Sequence, residues 1–312
     1  MVLTVTLNPS VDRALFIGEL RVGDTNRVLR SETDAGGKGV NLSRVLRELG
    51  GHTVATGFLG GGAGAFIRQV LDVQDVPHCF VEISGDTRTN FSVEDADKNP
   101  PTTFNERGPE VTAADLDRLI ERVKEYLPQL SWLSLGGSLP PGAPLDIFQR
   151  FVELGHSQGV KVLVDADGDP MRLAMLARPD FIKPNEREAA RLLGREIQGR
   201  NDGLEAATQL YQQLGAGSAI AVISRGAGGA IVACEDGIYE GLTPAVEMRS
   251  TIGCGDSMLG GILWALGAGH PLNEAFRWGL SAGAATAATD GTGIARRAAI
   301  QELLHRAKVE RA

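Results

Sequence analysis

Short β-rich runs alternating with helical ones constrain this chain more than any other feature. Val2–Leu7, Thr53–Leu59, His78–Ile83, Ser131–Leu135, Val160–Val164, Asp180–Ile182 and Ala219–Ser224 have strand character. Between them, Val40–Leu49, Ala63–Val73, Thr112–Leu127, Pro144–His156, Asn185–Leu193 and Gly203–Leu214 carry helical spacing. Strand–helix–strand alternation predicts an α/β fold: a mostly parallel sheet with helices on both faces. After Asp256 the spacing reads as helical to the end, with breaks near Gly267–Pro271 and Gly291–Gly293. Two stretches, Ala14–Ser31 and Arg88–Phe104, have β-type patterns without crossover helices. They predict a small inserted sheet, a lid of about 11–32 and 86–108 within one domain spanning 1–312.

Composition limits the partners. Among 312 residues the net charge is −8, with both signs interspersed. That argues against nucleic acid or an anionic membrane as the main partner, while a local basic pocket can still receive a small anion. The cysteines Cys79, Cys234 and Cys254 are odd in number and far apart, so neither a disulfide framework nor a zinc site is indicated. The histidines show no ligand spacing, and no apolar run is long enough to span a bilayer. Met1–Leu7 reads as a strand rather than a leader. A reducing, cytoplasmic setting is expected.

The chemistry concentrates in a few glycine-rich turns. Gly253-Cys254-Gly255-Asp256 runs into an apolar helical segment. Amides at a helix N-terminus favour an anion. Asp256 beside them is placed to take a hydroxyl proton during phosphoryl transfer, although a plain helix cap fits the same residues. Cys254 at that terminus fits either a reactive thiolate favoured by the helix start or a thiol turned into the core as a small apolar group. Gly36-Gly37-Lys38-Gly39-Val40-Asn41 lacks the Walker A spacing, yet Lys38 suits a phosphate and Asn41 suits hydroxyls. Asp12, beyond the first strand, and Ser138, in Gly136–Gly142, stand at strand ends where ligands bind; turn roles are the alternative.

Asn185 and Glu188, opening a helix after Lys183, are spaced to orient water on a nucleotide-borne Mg²⁺ or to form a capping box. Ser224-Arg225-Gly226 lies between strands and suits a nucleotide phosphate or a hairpin turn. Arg27 and Arg88 are candidate ligands for a substrate phosphate. A competing motif, Gly60-Gly61-Gly62-Ala63-Gly64-Ala65 with Glu82 further on, matches a dinucleotide fingerprint and points to an oxidoreductase instead.

Taken in order, several segments resemble the ribokinase (PfkB) carbohydrate-kinase family over essentially the whole chain. They are Thr6–Asp12, Gly36–Asn41, Thr87–Asn90, Phe104–Glu110, Gly137–Pro140, Lys183–Asn185 and Gly253–Ser257. The resemblance implies a ribokinase-like fold and ATP- and Mg²⁺-dependent phosphorylation of a ketohexose phosphate. Fructose 1-phosphate ranks first, then tagatose 6-phosphate and fructose 6-phosphate. It implies Asp256 as base, with the Gly253, Cys254 and Gly255 amides as the anion hole. Asp12, Gly37, Lys38, Asn41, Arg88 and Ser138 would contact the phosphosugar. Lys183, Asn185 and Glu188 would serve nucleotide phosphates and Mg²⁺, and Ser224 and Gly226 the nucleotide.

A homodimer through the lid is also implied, and dependence on a monovalent cation is left open. Cys254 departs from the family's usual small residue, Arg225 from leucine, and Val164–Gly168 from a hydroxyl-rich pattern. The complete lysine loop sets the chain apart from members with glycine in place of Lys38. A sugar-phosphate-binding regulator without catalysis is the alternative of a different class.

Overall fold

The computed structural model describes residues 1–95 and 98–312. The strands are β1 (Val2–Thr6), β2 (Ser10–Ile17), β3 (Arg30–Gly36), β4 (Thr53–Leu59), β5 (Val81–Glu82), β6 (Arg88–Asp95), β7 (Lys98–Asn105), β8 (Trp132–Gly136), β9 (Lys161–Asp165), β10 (Phe181–Ile182), β11 (Ile220–Ser224), β12 (Ala230–Cys234), β13 (Gly237–Leu242) and β14 (Lys308–Arg311). The α-helices are α1 (Lys38–Glu48), α2 (Gly61–Val73), α3 (Ala113–Tyr126), α4 (Ile147–Ser157), α5 (Gly168–Leu176), α6 (Glu186–Leu193), α7 (Gly199–Gln213), α8 (Cys254–Gly267), α9 (Leu272–Ala287) and α10 (Arg297–Leu304).

The large sheet has the order β14-β13-β12-β11-β10-β9-β8-β1-β4-β5. It is parallel from β5 through β11 and antiparallel beyond. Helices cover both faces, so successive strand residues enter different cores. Val162 and Val164 pack with Phe148 and Phe151, whereas Leu163 packs with Leu259 and Phe276. This is why the central strands read as unbroken apolar runs. A hydroxyl chain fixes α1 to the sheet: Ser43 Oγ lies 2.8 Å from both Thr4 Oγ1 and Thr53 Oγ1.

The second sheet, β3-β2-β6-β7, is the small separate sheet that the sequence predicts. Its strands begin earlier and end later than expected. β2 starts at Ser10, and β3 runs to Gly36, while 18–29 form no strand. Ala96 and Asp97, within the expected lid, lie outside the described residues. Other differences are local. Only Val81–Glu82 of the expected His78–Ile83 strand is regular. α5 was not expected, because Gly168, Asp169 and Pro170 resemble a turn rather than the helix start they form. The chain does not stay helical to its end: Ala307 packs into the core, and β14 pairs with β13. Among the described residues no helix is long and apolar enough to cross a membrane.

Candidate active site

Register puts the site at the carboxyl ends of adjacent parallel strands. Thr6 pairs with Gly136, and Gly136 with Asp165. The segments after these positions therefore emerge on one edge, where open α/β sheets hold ligands. α8 completes the site. Gly253 caps it with φ of 71°, a left-handed conformation that favours glycine. The amides of Cys254, Gly255 and Asp256 then open the helix and have no partner within it.

Asp256 lies in that first turn, 8% exposed, and its Oδ2 accepts a 2.9 Å hydrogen bond from Asn41 Nδ2. Burial, followed by the nearby Asp165 charge, lifts its pKa to about 6, against the opposing pull of Lys38, Asn41 and Lys183. A carboxylate so tuned is ionised at neutral pH yet basic enough to receive a proton.

Behind Asp256 sits an acid that the sequence reading did not place in the site. Asp165, at the end of β9, is 2% exposed. Its Oδ1 accepts a 2.9 Å hydrogen bond from Lys38 Nζ. Its Oδ2 faces Lys183 Nζ at 3.5 Å, an ion pair too long to satisfy that buried oxygen by hydrogen bonding. Burial favours the neutral acid, but Lys183 and Lys38 outweigh it and hold the Asp165 pKa below its ordinary value. Burial likewise disfavours the Lys38 ammonium, while Asp165 and Asp256 more than compensate and raise its pKa. Lys183 also reaches the helix start: a methyl placed on Gly255 would lie 3.0 Å from its Nζ. In sequence Asp165 is legible only as a strand-end acid within Val164–Gly168, a segment whose departure from the family pattern leaves its contacts unassigned.

The lid supplies a second cluster. Asp12 Oδ1 accepts from Ser10 Oγ at 2.7 Å and from Asn90 Nδ2 at 3.0 Å. Burial raises its pKa despite these bonds and Arg88. Asp12 thus lies in strand β2, not in a turn, and the absent side chain of Gly36 on β3 leaves room for its carboxylate. Asn8, also missed, ties the cluster to Ser138. Its Nδ2 donates to Ser138 Oγ at 3.3 Å, and its carbonyl accepts from Arg88 Nε at 3.2 Å. Arg88 Nη1 donates to the Glu106 carbonyl at 3.0 Å. Arg88 and Arg107 line an open cleft of about 500 Å³ with Gly85 and Gly108. Gly37 caps α1. Arg27 is exposed on the connection between β2 and β3 and hydrogen-bonds none of these groups.

The remaining candidates converge on another flank. Asn185 bridges to Ser224, whose N–H donates to the Pro184 carbonyl at 3.0 Å. Asn185 and Glu188 form the capping box: Asn185 Oδ1 accepts from the Glu188 amide at 3.0 Å, and Glu188 Oε2 from the Asn185 amide at 2.8 Å. Among the described residues no three acidic, histidine or cysteine side chains gather as a metal cage. The box leaves the second Glu188 oxygen unused. That donor set fits an ion arriving with a nucleotide and keeping its waters, rather than a resident metal. Gly226 opens a short turn to Gly228 beside Ser224. Arg225 Nη2 pins that turn, donating to the Gly228 carbonyl at 3.2 Å and to Glu240 Oε1 at 2.6 Å.

One competing reading is corrected. The Gly60–Ala65 loop does join β4 to α2, but it is consumed internally. The Gly60 amide donates to Thr87 Oγ1, its carbonyl accepts from the Thr87 amide, and the Asp86 side chain packs on Gly61. Glu82 pairs with Arg68 on the surface. The fingerprint anchors the lid and offers no pyrophosphate cradle. Of the two readings of Cys254, the neutral thiol is favoured: burial, then Asp256, pushes its pKa up to about 11.

Residues 5–298 match the pfkB family carbohydrate kinase model. The chain is 31% identical over 311 residues to a 1-phosphofructokinase of Bacillus subtilis, covering 100% of each. Escherichia coli phosphofructokinase-2, solved in complex with substrates and products, superposes with a TM-score of 0.91 at 28% identity, covering 98% of each chain. A possible 1-phosphofructokinase of Thermotoga maritima gives 0.90 at 28% identity, covering 100% of this chain and 99% of its own.

Proposed function

The chain belongs to the pfkB family of carbohydrate kinases and is a sugar-phosphate kinase, and from that premise we propose that it transfers the γ-phosphoryl group of ATP to fructose 1-phosphate, giving fructose 1,6-bisphosphate. The observation that carries the chemistry is the buried Asp256 carboxylate in the first turn of α8, with Asn41 holding one of its oxygens. Oδ1 then faces the sugar hydroxyl and takes its proton as that oxygen bonds to the phosphorus and the bond to ADP breaks. The Gly253, Cys254 and Gly255 amides receive charge on the transferred group, and Lys183 and Lys38 add their own from the two flanks. Mg²⁺, held through water by Asn185 and Glu188, would neutralise nucleotide phosphate charge.

The substrate choice rests on the Bacillus subtilis relative and on cationic groups distant in sequence from the base. Arg88, with Arg107 across the cleft, suits a phosphate on one terminal carbon while Asp256 meets the hydroxyl on the other. Asp12 is placed to accept bonds from sugar hydroxyls. The exposed lid residues Leu29 and Phe104 favour pairing with a second copy through the lid. A coupled assay of kcat/KM over fructose 1-phosphate, fructose 6-phosphate, tagatose 6-phosphate and free fructose tests the reading. Fructose 1-phosphate should lead and free fructose trail far behind. A lead for tagatose 6-phosphate renames the substrate, and a lead for free fructose removes the phosphate-end argument.

A further inference from the structure

Lys38 and Lys183 come from opposite flanks of the site. Lys38 begins α1 beside the lid, and Lys183 follows β10 beside the Asn185–Ser224 bridge. Their ammonium groups nonetheless meet on one carboxylate, Asp165, at 2.9 and 3.5 Å. The carboxylate is buried at the end of a central strand that pairs with β8 on one side and β10 on the other. Left alone, each lysine stem would sample many rotamers, and an ammonium is a point charge without the fixed fork of a guanidinium. A charge this deeply buried is costly unless it is paired, so the arrangement needs a reason beyond stability.

We infer that Asp165 is a positioning residue that fixes the sugar-side and nucleotide-side lysines on one anchor, setting where the two substrates' phosphates stop relative to Asp256. This deepens the kinase reading and rests on it. Asp165 makes no bond to Asp256, so its effect on the reaction runs through Lys38 and Lys183 and through its own field. The groups facing Asp256 are Lys38 and Asn41 from α1, Asp165 from β9, Lys183 from beyond β10 and Cys254 from its own helix. Removing the Asp165 charge deletes an anion from this set and leaves both cations in place. The Asp256 pKa must therefore fall.

The test compares Asp165→Asn, Asp165→Glu and Asp256→Asn in the full-length protein, using kcat, both KM values and the pH dependence of kcat/KM. Asp165→Asn should lose about 10²-fold in kcat, the scale expected when reacting groups shift by an ångström. Neither KM should rise more than a few-fold, because the lysine charges remain. The acid limb of kcat/KM should move to lower pH, a displacement that mere loosening of the fold would not produce. Asp165→Glu keeps the charge but moves the anchor by one methylene. It should lose at least 10-fold in kcat with the acid limb unmoved, and it remains informative if the asparagine variant does not fold. Wild-type kcat in either variant, or an unmoved acid limb in Asp165→Asn, overturns the inference. Normal turnover in Asp256→Asn would instead overturn the kinase site itself, so the two failures are separable.

Discussion

On the floor of the site, Asp165, Lys183 and Asp256 are almost wholly buried; on the lid, Val22, Leu29 and Phe104 are mostly exposed. The floor is drawn from α8 and from the ends of β9 and β10 in the central sheet, and its charges face one another at short range. The lid is one sheet of four strands with a strandless connection at 18–29. Its polar bonds are mostly among its own residues and with Asn8, and Asn90 Oδ1 is left buried without a partner. The difference separates two tasks. The floor holds charges before substrate arrives, which lowers the reorganisation needed at reaction. In the proposed reading, the lid keeps surface in reserve for a sugar on one side and a second chain on the other.

The floor should break first and furthest. Asp256→Asn keeps the shape and removes the proton acceptor, so kcat should fall by about 10²–10⁴-fold while both KM values change little; near-normal kcat would show that Asp256 is only a cap. The lid should break differently. Arg88→Ala should raise KM for the phosphosugar by about 10- to 100-fold, the loss expected for a hydrogen bond to a charged group, and leave KM for ATP near normal. An effect on ATP instead would exchange the two flanks.

Stability sharpens the same contrast. The Asp256 pKa is about 6, against 3.8 for an ordinary aspartate, so the folded state holds the proton more tightly than the unfolded one. The native state is therefore unpenalised below about pH 4 and loses stability as pH rises through that window, by about 3 kcal/mol in all. Asp256→Asn should unfold at a higher temperature than wild type at pH 8 and at the same temperature at pH 4. A gain present at both would trace to packing. On the lid, Phe104→Asp should weaken self-association in sedimentation without altering the unfolding temperature of the α/β body. The smallest effect belongs to Cys254. With its pKa at about 11, only about one thiol in ten thousand is ionised at neutral pH, and brief iodoacetamide treatment should leave activity intact.

Much of this was readable from residue order. The alternation of runs dictated a parallel sheet because buried strands must be apolar on both faces, and the glycines around Asp256 dictated a helix start there. The unread parts share a cause. Asn8 lies within Thr6–Asp12 and Asp165 within Val164–Gly168, but neither local pattern assigns them a contact, and their partners appear only when β1, β8 and β9 align. The Gly60 loop fitted its fingerprint perfectly as a string, but Thr87 and Asp86 fill it in space. Asn185 and Glu188 form the capping box, and the carboxylate oxygen it leaves unused is what keeps the proposed second role open to them. The strand at Lys308–Arg311 was invisible to helical spacing because edge pairing, rather than burial, makes it a strand.

The in-register ends of β1, β8 and β9 bear on where this chain can tolerate insertions and deletions. Val162 and Val164 serve one core and Leu163 the other, so deleting a single residue within β9 would turn each toward the wrong layer and carry Asp165 away from both lysines. No compensating substitution elsewhere restores such a slip. Length changes can accumulate instead in the strandless connection at 18–29 and around the α6–α7 junction, which lie outside that register. Variants with altered substrate reach should therefore differ in loop length there, while the spacing from Lys161 to Asp165 stays fixed.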